Sequence, residues 1–327
     1  MNTLDHLAKN TRVVADTGLF KLIRKYEPCD STTNPSLILA AVKDEDYIFF
    51  IKESIAYAKK NVKGQKQSDL IDLAMIRILY LFGNEILKII KGRVSIEVDA
   101  RLSFSIEKQV ERALKIIEMF KSEGLERAEE RILIKLSSTW EGIQAAKVLE
   151  AKHGIHCNLT LMFSMAQAIA SAEAQVTLIS PFVGRILDWF MHANPGTVFE
   201  DCDPGVAFVR KVYNYYKKFG HKTEVMGASF RNVNEILSLN GCDLLTISPA
   251  LMDKLMGMCI VPEVKLNSDN AEIECKDKKR DCVMDEEEFR WALNEDRMAT
   301  EKLSDGIRLF AGDARTLEEM FIAESRA

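Results

Sequence analysis

The sequence lacks the features that mark several common classes of protein. Its seven cysteines include no CxxC pair, and no GxGxxG or GxxxxGK(S/T) motif follows a predicted strand, which argues against common zinc sites and nucleotide-binding loops. The formal net charge of −5 gives no electrostatic reason to expect nucleic acid or an anionic membrane as a partner. The least charged segment, residues 159–184, is too polar to span a membrane.

Features of an exported protein are also missing. The cysteine count is odd and the cysteines are scattered, and the first ten residues, MNTLDHLAKN, contain no basic region followed by an apolar core. We therefore expect reduced thiols and a cytoplasmic location. Because the chain as a whole is acidic, an anionic substrate would have to be bound by a few local cations.

What the chain has is a regular alternation of short β-branched runs and amphipathic helical patterns, repeated about eight times. Such alternation is typical of a parallel sheet with helical crossovers, and eight units favour closure into a (β/α)8 TIM barrel over an open doubly wound sheet. We expect extra helices, a C-terminal helical extension beyond Glu263 and one domain covering residues 1–327. The predicted strands are residues 12–16, 30–34, 93–99, 131–136, 155–161, 175–180, 223–229 and 242–248.

Local motifs predict where several helices begin. Residues 35–91 are long enough for two helices, which we expect to separate near residues 63–64. Capping residues precede three other helices, and at one of them a proline follows at the first helical position. These motifs are Ser138 with Glu141, Asp203 with Pro204, and Asp285 with Glu288.

Polar side chains occupy alternate positions in three predicted strands. Aliphatic residues such as Leu161 fill the intervening positions, so period-2 geometry places them against the helices and the polar set inside the barrel. Other polar residues stand where further strands end, at the edge of a barrel that forms active sites: Asp16, Asn34, Ser180 and Ser229. The alternating polar residues are Ser95, Glu97 and Asp99, then Lys135 and Ser137, then His156, Asn158 and Thr160.

Lys135 is the most informative single residue. The run Ile-Leu-Ile-Lys-Leu-Ser (132–137) is expected to bury its amine, and desolvation disfavours the charged ammonium. A neutral amine is the form that attacks a ketone to make a Schiff base. Two structural alternatives are an ion pair with Glu97 or Asp99 and a side chain that reaches solvent.

Seven segments of the chain resemble motifs of the transaldolase family, which forms Schiff bases and belongs to the class I aldolase superfamily. The segments follow the family's order along essentially the whole chain, and the length suits its long-chain branch. They are Val-Val-Ala-Asp-Thr-Gly (13–18), Ser-Thr-Thr-Asn-Pro-Ser (31–36), Val-Ser-Ile-Glu-Val-Asp (94–99), Ile-Leu-Ile-Lys-Leu-Ser (132–137), Cys-Asn-Leu-Thr-Leu (157–161), Ser-Pro-Phe-Val-Gly-Arg (180–185) and Met-Gly-Ala-Ser-Phe-Arg (226–231).

The resemblance implies a covalent mechanism. Lys135 attacks the ketone of a ketose phosphate and forms an iminium, and Asp16 accepts the proton from the hydroxyl at the bond that breaks. Glu97, with Thr160 and a held water, moves protons while the carbinolamine forms and dehydrates. No metal or cofactor is expected, because the iminium stabilises the carbanion.

The resemblance also implies the substrates and their contacts. A dihydroxyacetone unit passes from sedoheptulose 7-phosphate or fructose 6-phosphate to glyceraldehyde 3-phosphate or erythrose 4-phosphate, in the non-oxidative pentose phosphate pathway. A homodimer is an expectation at the level of the family. From the residues alone, Asn34 could equally be a helix N-cap and the arginines could lie on the surface. The expected substrate-binding residues are Asn34, Asn158 and Ser180 for the dihydroxyacetone unit, Arg185, Ser229 and Arg231 for phosphate, and Phe182.

The main alternative is a Schiff-base fructose-6-phosphate aldolase, which releases free dihydroxyacetone. Glu97 and Phe182 argue against it, because relatives with that activity carry Gln and Tyr at the corresponding motif positions. A non-catalytic phosphosugar-binding barrel would not need Lys135, Glu97 and Asp16 together. A structural scaffold would not need a polar barrel mouth.

Overall fold

In the computed structural model, which describes residues 1–64, 66–199 and 202–326, the strands form a closed barrel. Each strand pairs in parallel with the next, and the last pairs with the first. This topology confirms the predicted (β/α)8 TIM barrel and excludes the open sheet. The strands are β1 (Arg12–Asp16), β2 (Asp30–Thr32), β3 (Val94–Glu97), β4 (Ile132–Ser137), β5 (Cys157–Met162), β6 (Leu178–Pro181), β7 (Glu224–Gly227) and β8 (Leu244–Ile247).

Helices connect the strands and continue past the barrel. Among the described residues, none of them combines the length and apolar character needed to cross a membrane. The helices up to β5 are α1 (Thr3–Leu7), α2 (Phe20–Tyr26), α3 (Pro35–Val42), α4 (Phe49–Asn61), α5 (Gln67–Leu87), α6 (Ile106–Ser122), α7 (Ala128–Arg131) and α8 (Trp140–His153). Those after β5 are α9 (Met165–Glu173), α10 (Val183–Ala193), α11 (Pro204–Lys218), α12 (Val233–Leu237), α13 (Pro249–Met256), α14 (Ala271–Glu274), α15 (Glu286–Glu295) and α16 (Arg297–Arg326).

Each predicted strand overlaps an observed one, whereas the connection between β2 and β3 differs from the prediction. Three helices, not two, occupy residues 35–91. The predicted break near residues 63–64 lies between α4 and α5, and a second break separates α3 from α4. At this second break the Asp44 carboxylate accepts a hydrogen bond from the Asp46 amide at 2.9 Å, in a turn that competes with helix.

The predicted capping box at Ser138 is wrong. Thr139 caps α8 instead, and its hydroxyl accepts a hydrogen bond from the Gly142 amide at 2.9 Å. The Ser138 hydroxyl donates to the Thr160 carbonyl at 2.6 Å, so it ties the end of β4 to β5. Helix α8 therefore begins one residue later than predicted, because the Ser138 hydroxyl is used in this bond between strands.

The capping box predicted at Asp285 forms only in part. The Asp285 carboxylate accepts a hydrogen bond from the Glu288 amide at 2.9 Å and caps α15, as predicted. The Glu288 carboxylate does not return the bond, because it pairs with Arg280 at 2.5 Å. An ion-pair partner from another segment therefore replaces the local contact.

Apolar side chains cover both the outer and the inner face of the barrel wall. The aliphatic residues of the predicted alternation, such as Ile96 and Ile134, are fully buried against the helices. Inside the barrel, the polar side chains stand toward the carboxyl ends of the strands, above a separate apolar layer. That layer comprises Val14, Leu133, Leu178, Met226 and Leu244.

Three residues of the predicted alternation lie elsewhere. Leu161 has φ of +54° where the pairing of β5 with β6 shifts register, so its side chain packs above the barrel and not under the helices. Asp99 lies beyond β3 and accepts a hydrogen bond from the Arg101 amide at 2.9 Å, outside the barrel. His156 precedes β5, and its side chain is 41% exposed. The period-2 rule fails at Leu161 because the strand pairing is irregular there, and it fails at Asp99 and His156 because both lie outside the strands.

The cap of α11 is formed as predicted and gives a test of the described helix start. The Asp203 carboxylate accepts hydrogen bonds from the Gly205 and Val206 amides at 2.8 and 3.0 Å, with Pro204 at the first helical position. We predict that Asp203→Ala lowers the free energy of unfolding by roughly 0.5–2 kcal/mol, because two amides lose their acceptor. Urea unfolding midpoints measure the change. Asp203→Asn, which keeps an oxygen acceptor, is the control, and an equal loss in both variants would contradict the cap.

Candidate active site

Lys135 is buried at the centre of the barrel mouth, where β4 places it opposite Glu97 of β3. Its side chain is 4% exposed, and its nitrogen lies 3.1 Å from the Oε2 atom of Glu97. It also donates a hydrogen bond to the Thr33 carbonyl at 3.2 Å. The ion pair considered from the sequence is therefore present. It is compatible with a nucleophilic role, because a neighbouring carboxylate can accept the ammonium proton.

Glu97 and Thr160 both carry buried side-chain oxygen atoms. Apart from the ion pair of Glu97 with Lys135, neither carboxylate oxygen of Glu97 nor the Thr160 hydroxyl has a hydrogen-bond partner among the described residues. Burial raises the pKa of Glu97, and the charges of Lys135 and Arg185 partly offset this. Buried polar atoms are normally paired, so these oxygens are suited to hold a polar group or a water and to exchange protons with it.

Asp16 ends β1 at the opposite side of the mouth. Its Oδ1 atom accepts a hydrogen bond from the Thr32 hydroxyl at 2.8 Å, and that hydroxyl also contacts the Thr246 hydroxyl at 2.7 Å. Burial raises the pKa of Asp16, against the opposing effects of Lys135, the Thr32 hydrogen bond and Arg185. A carboxylate held in this way can accept a proton from a substrate hydroxyl.

Lys135 and Asp16 both line a cavity of 160 Å³ at the carboxyl-terminal end of the barrel. Its size suits a small polar fragment, and the sequence-predicted residues supply most of its wall. Glu97, Thr160, Asn158 and Arg231 are not part of that wall, although Glu97 and Asn158 stand next to Lys135 on the neighbouring strands. The predicted residues that line the cavity are Asp16, Asn34, Lys135, Ser180, Phe182, Arg185 and Ser229.

The side-chain amides of Asn34 and Asn158 already form hydrogen bonds within the protein. Asn34 is the N-cap of α3, as one of the sequence alternatives had it, and its Oδ1 atom accepts a hydrogen bond from the Leu37 amide at 2.9 Å. Its amide nitrogen is the atom left to donate into the cavity. Asn158 donates to the Ser95 hydroxyl at 3.0 Å and accepts from the Ser180 hydroxyl, so these side chains hold each other in place.

Cationic side chains stand at the outer rim. Arg231 binds the Asp188 carboxylate at 2.6 Å and donates to the carbonyl and hydroxyl of Ser229 at 2.9 and 3.3 Å. Arg185, in the first turn of α10, forms no ion pair with a carboxylate in the described part of the chain. Burial and the charge of Arg231 lower the pKa of Arg185. The structure thus brings together the three residues expected to bind phosphate.

Known proteins are similar along nearly the full length of the chain. The family model described as transaldolase/fructose-6-phosphate aldolase matches residues 13–321. A probable transaldolase of Drosophila melanogaster is 55% identical, with 98% of this chain and 95% of that protein covered. The transaldolases of Saccharomyces cerevisiae and Homo sapiens are 55% and 56% identical, over 98% of this chain and 94% and 93% of those proteins. The chain belongs to the transaldolase/fructose-6-phosphate aldolase family.

Within the family, the chain groups with the transaldolases. Identity of this degree over nearly the full length of each protein identifies it as an enzyme with transaldolase activity, which is a transferase activity. The aldolase and the non-catalytic barrel considered from the sequence are not favoured. Phe182 is 5% exposed in the cavity wall, and its ring lies 5.0 Å from the guanidinium carbon of Arg185.

The barrel mouth of this family member also contains groups that the sequence analysis did not single out. Thr32 and Thr246 line the cavity and support Asp16, and the Thr33 carbonyl holds Lys135. Thr246 could have been identified from the sequence, because it is the polar residue in the otherwise aliphatic strand β8. The Thr33 carbonyl had none, since a backbone group carries no mark in the sequence.

The raised pKa of Asp16 predicts a cost to stability that depends on pH. Because the native pKa lies above the ordinary value of 3.8, the native carboxyl holds its proton more tightly than the unfolded chain does. Proton binding by Asp16 therefore stabilises the native protein. This stabilisation is fully present at pH values below the ordinary pKa and is lost as the pH rises through the native pKa. Asp16→Asn keeps an oxygen acceptor for Thr32 and buries no charge, so we expect it to be more stable than the unchanged enzyme at neutral pH.

Urea unfolding of both proteins between about pH 4 and pH 8 measures this effect. The advantage of Asp16→Asn should grow as the pH rises and shrink toward the acid end. An advantage that does not change with pH, or a loss of stability at neutral pH, would contradict the raised native pKa.

Proposed function

We propose that this chain transfers a dihydroxyacetone unit between sugar phosphates with Lys135 as the Schiff-base nucleophile. The donors are sedoheptulose 7-phosphate or fructose 6-phosphate, and the acceptors are glyceraldehyde 3-phosphate or erythrose 4-phosphate, as in the non-oxidative pentose phosphate pathway. The observation that carries the proposal is the buried Lys135 amine, 3.1 Å from Glu97 and facing the same cavity as Asp16. An amine excluded from water beside a proton acceptor is suited to attack a ketone.

Schiff-base formation needs a proton acceptor and then a proton donor, and Glu97 is placed for both roles. The ammonium of Lys135 gives a proton to Glu97, the neutral amine attacks the ketone carbon, and a proton moves from the nitrogen to the new alkoxide through the held water to give a carbinolamine. Glu97 returns the proton to the departing hydroxyl through a water held by Thr160, so that water leaves and the iminium remains. The raised pKa of Glu97 favours this exchange, because a carboxyl that titrates closer to neutral pH can both accept and release a proton.

Cleavage and transfer use the iminium as an electron sink. Asp16 accepts the proton of the hydroxyl at the bond that breaks, the carbon–carbon bond opens, and its electron pair moves into the iminium to give an enamine. The aldose phosphate leaves, and the enamine then attacks the aldehyde carbon of the acceptor, whose oxygen takes the proton back from Asp16. Hydrolysis of the new iminium releases the ketose phosphate and frees Lys135. No metal or cofactor takes part in this scheme.

The binding roles follow the depth of each side chain. Asn34 and Ser180 line the same cavity as Lys135, and Asn158 is bonded to Ser180; these side chains bind the dihydroxyacetone unit. Arg185, Ser229 and Arg231 lie at the rim and bind the phosphate, for which the planar guanidinium fork is suited. The short distances between Arg231 and Ser229 support a joint role for the rim residues.

Transfer is favoured over hydrolysis of the enamine by the character of the cavity wall. Hydrolysis requires a proton at the nucleophilic carbon of the enamine and a water at the iminium. Phe182 offers an apolar ring without a hydroxyl at this position, so it delivers no proton. The enamine on Lys135 therefore persists until an acceptor aldehyde arrives.

We further propose that residues 1–327 act as one domain in the cytoplasm. The seven cysteines are free, which suits a reducing compartment. The homodimer is proposed from the family alone.

Borohydride trapping tests the nucleophile directly. Borohydride with fructose 6-phosphate should inactivate the enzyme and attach a reduced dihydroxyacetone unit to Lys135, because the iminium forms there. Peptide mapping by mass spectrometry locates the adduct, and a sample without sugar is the control. Lys135→Ala should abolish trapping while the circular dichroism spectrum stays native. An adduct on another lysine, or none, contradicts the assignment.

A comparison with and without acceptor separates a transferase from an aldolase. With fructose 6-phosphate alone, we expect glyceraldehyde 3-phosphate release to stop near about one equivalent per site and little free dihydroxyacetone to form, since the enamine on Lys135 is neither protonated nor hydrolysed quickly. Addition of erythrose 4-phosphate should give steady formation of sedoheptulose 7-phosphate and glyceraldehyde 3-phosphate. Rapid, continuous release of dihydroxyacetone without an acceptor would support the aldolase instead.

A further inference from the structure

Helix α16 lies across the barrel mouth and is held there from several sides. Gly306 packs so closely on Leu161 that a Cβ atom at this glycine would lie 2.5 Å from the Leu161 Cδ2 atom. Farther along the helix, the Asp313 carboxylate accepts a hydrogen bond from the Ser36 hydroxyl, beside Asn34 at the start of α3. These contacts with two sides of the barrel fix the position of the helix relative to the cavity.

Phe310 is one helical turn beyond Gly306, and at this position its ring lies next to the guanidinium group of Arg185. The ring centre of Phe310 lies 5.4 Å from the guanidinium carbon of Arg185, and that of Phe182 lies 5.0 Å from the same atom. Both distances fall within the range of a cation–π interaction, which is stronger when the groups are desolvated. Phe310 is 1% exposed, and burial also affects Arg185 enough to lower its pKa.

The two cations of the rim are held by different means. Arg231 is held by the carboxylate of Asp188, so part of its charge is already neutralised. Arg185 forms no ion pair in the described part of the chain, and two aromatic rings lie within cation–π distance of its guanidinium. An aromatic face orients a guanidinium without occupying its N–H groups, which stay available for an anion.

We propose that Phe310 is a positioning residue that orients Arg185 for the phosphate group of the substrate. This inference rests on the proposed function, which assigns phosphate binding to Arg185. It gives α16 a part in substrate recognition from a position 125 residues farther along the chain than Arg185. The ordinary alternative is that Phe310 only fills the apolar cluster it shares with Phe182 and Leu161.

A double-mutant cycle between Phe310→Leu and Arg185→Ala separates the two possibilities. For Phe310→Leu we expect the KM for fructose 6-phosphate to rise roughly 3- to 30-fold at nearly unchanged kcat, as for loss of a desolvated cation–π contact. Arg185→Ala alone should raise this KM roughly 10- to 100-fold. In the Arg185→Ala background, Phe310→Leu should cause no further rise, because the group it positions is absent.

Phe321→Leu is the matched control. Phe321 lies on the same helix and is 0% exposed, but it packs in the main core and not in the apolar cluster that contains Phe310 and Phe182, so its truncation opens a comparable space away from Arg185. We expect Phe321→Leu to lower stability but to leave the KM unchanged. If Phe310→Leu does not fold, Phe310→Met replaces it in the cycle, because Met fills most of the space and has no aromatic face. Borohydride trapping with unphosphorylated dihydroxyacetone should proceed normally in every folded variant, since it requires Lys135 and no phosphate.

Several outcomes overturn the inference. An unchanged KM in folded Phe310→Leu does so, as does an equal rise in both backgrounds, which means that Phe310 acts independently of Arg185. Loss of dihydroxyacetone trapping in Phe310→Leu shows collapse of the barrel mouth and also contradicts a positioning role. An unchanged KM in Arg185→Ala removes the proposed phosphate role of Arg185 and the inference with it. Absence of trapping in the unchanged enzyme refutes the proposed function itself.

Discussion

The burial of Lys135 against Glu97 inside the barrel is the constraint on which the rest of the structure depends. Their side chains are 4% and 2% exposed, and removing charged groups from water costs several kcal/mol per ion. Asp16 adds a third ionisable group, and burial raises the pKa of both carboxyls. The apolar layer beneath these groups and the helices around the barrel must supply the stability that the site consumes. A closed parallel barrel can do so because both faces of its strands are covered.

The register of the strands then sets the distances between the groups that are proposed to react. Glu97 stands opposite Lys135, and Lys135 stands opposite Asn158, on three neighbouring strands. Neighbouring strands lie about 4.8 Å apart, so side chains in one layer are within reach of each other without any loop to position them. A slip of one residue would turn Lys135 toward the helices. The chemistry at the floor of the cavity is therefore fixed by the sheet, and only the rim depends on loops and on α16.

This division explains what could be predicted from the sequence. Strand positions and the inward set around Lys135 follow from period-2 patterns, which are local. The reversal at Leu161 and the shift of the cap from Ser138 to Thr139 do not, because each depends on a contact with another segment. Phe310 was missed for the same reason: an apolar residue in a long amphipathic helix has no local mark that distinguishes a contact with Arg185 from ordinary packing. The roles of the individual residues came from the resemblance to a family. The geometry of the site is consistent with these roles, but it would not have assigned them by itself.

The arrangement of charge also orients the proposed substrate. The deep end of the cavity carries two carboxyls and one amine, whereas the rim carries two guanidinium groups with one carboxylate, Asp188. When Lys135 is neutral and ready to attack, the deep end repels an anion while the rim attracts it. In the proposed function, a sugar phosphate therefore enters with its ketone toward Lys135 and its phosphate toward Arg185 and Arg231. An acidic chain with a net charge of −5 can bind anionic sugars in this way, because the local separation of charge decides the orientation and the overall charge does not.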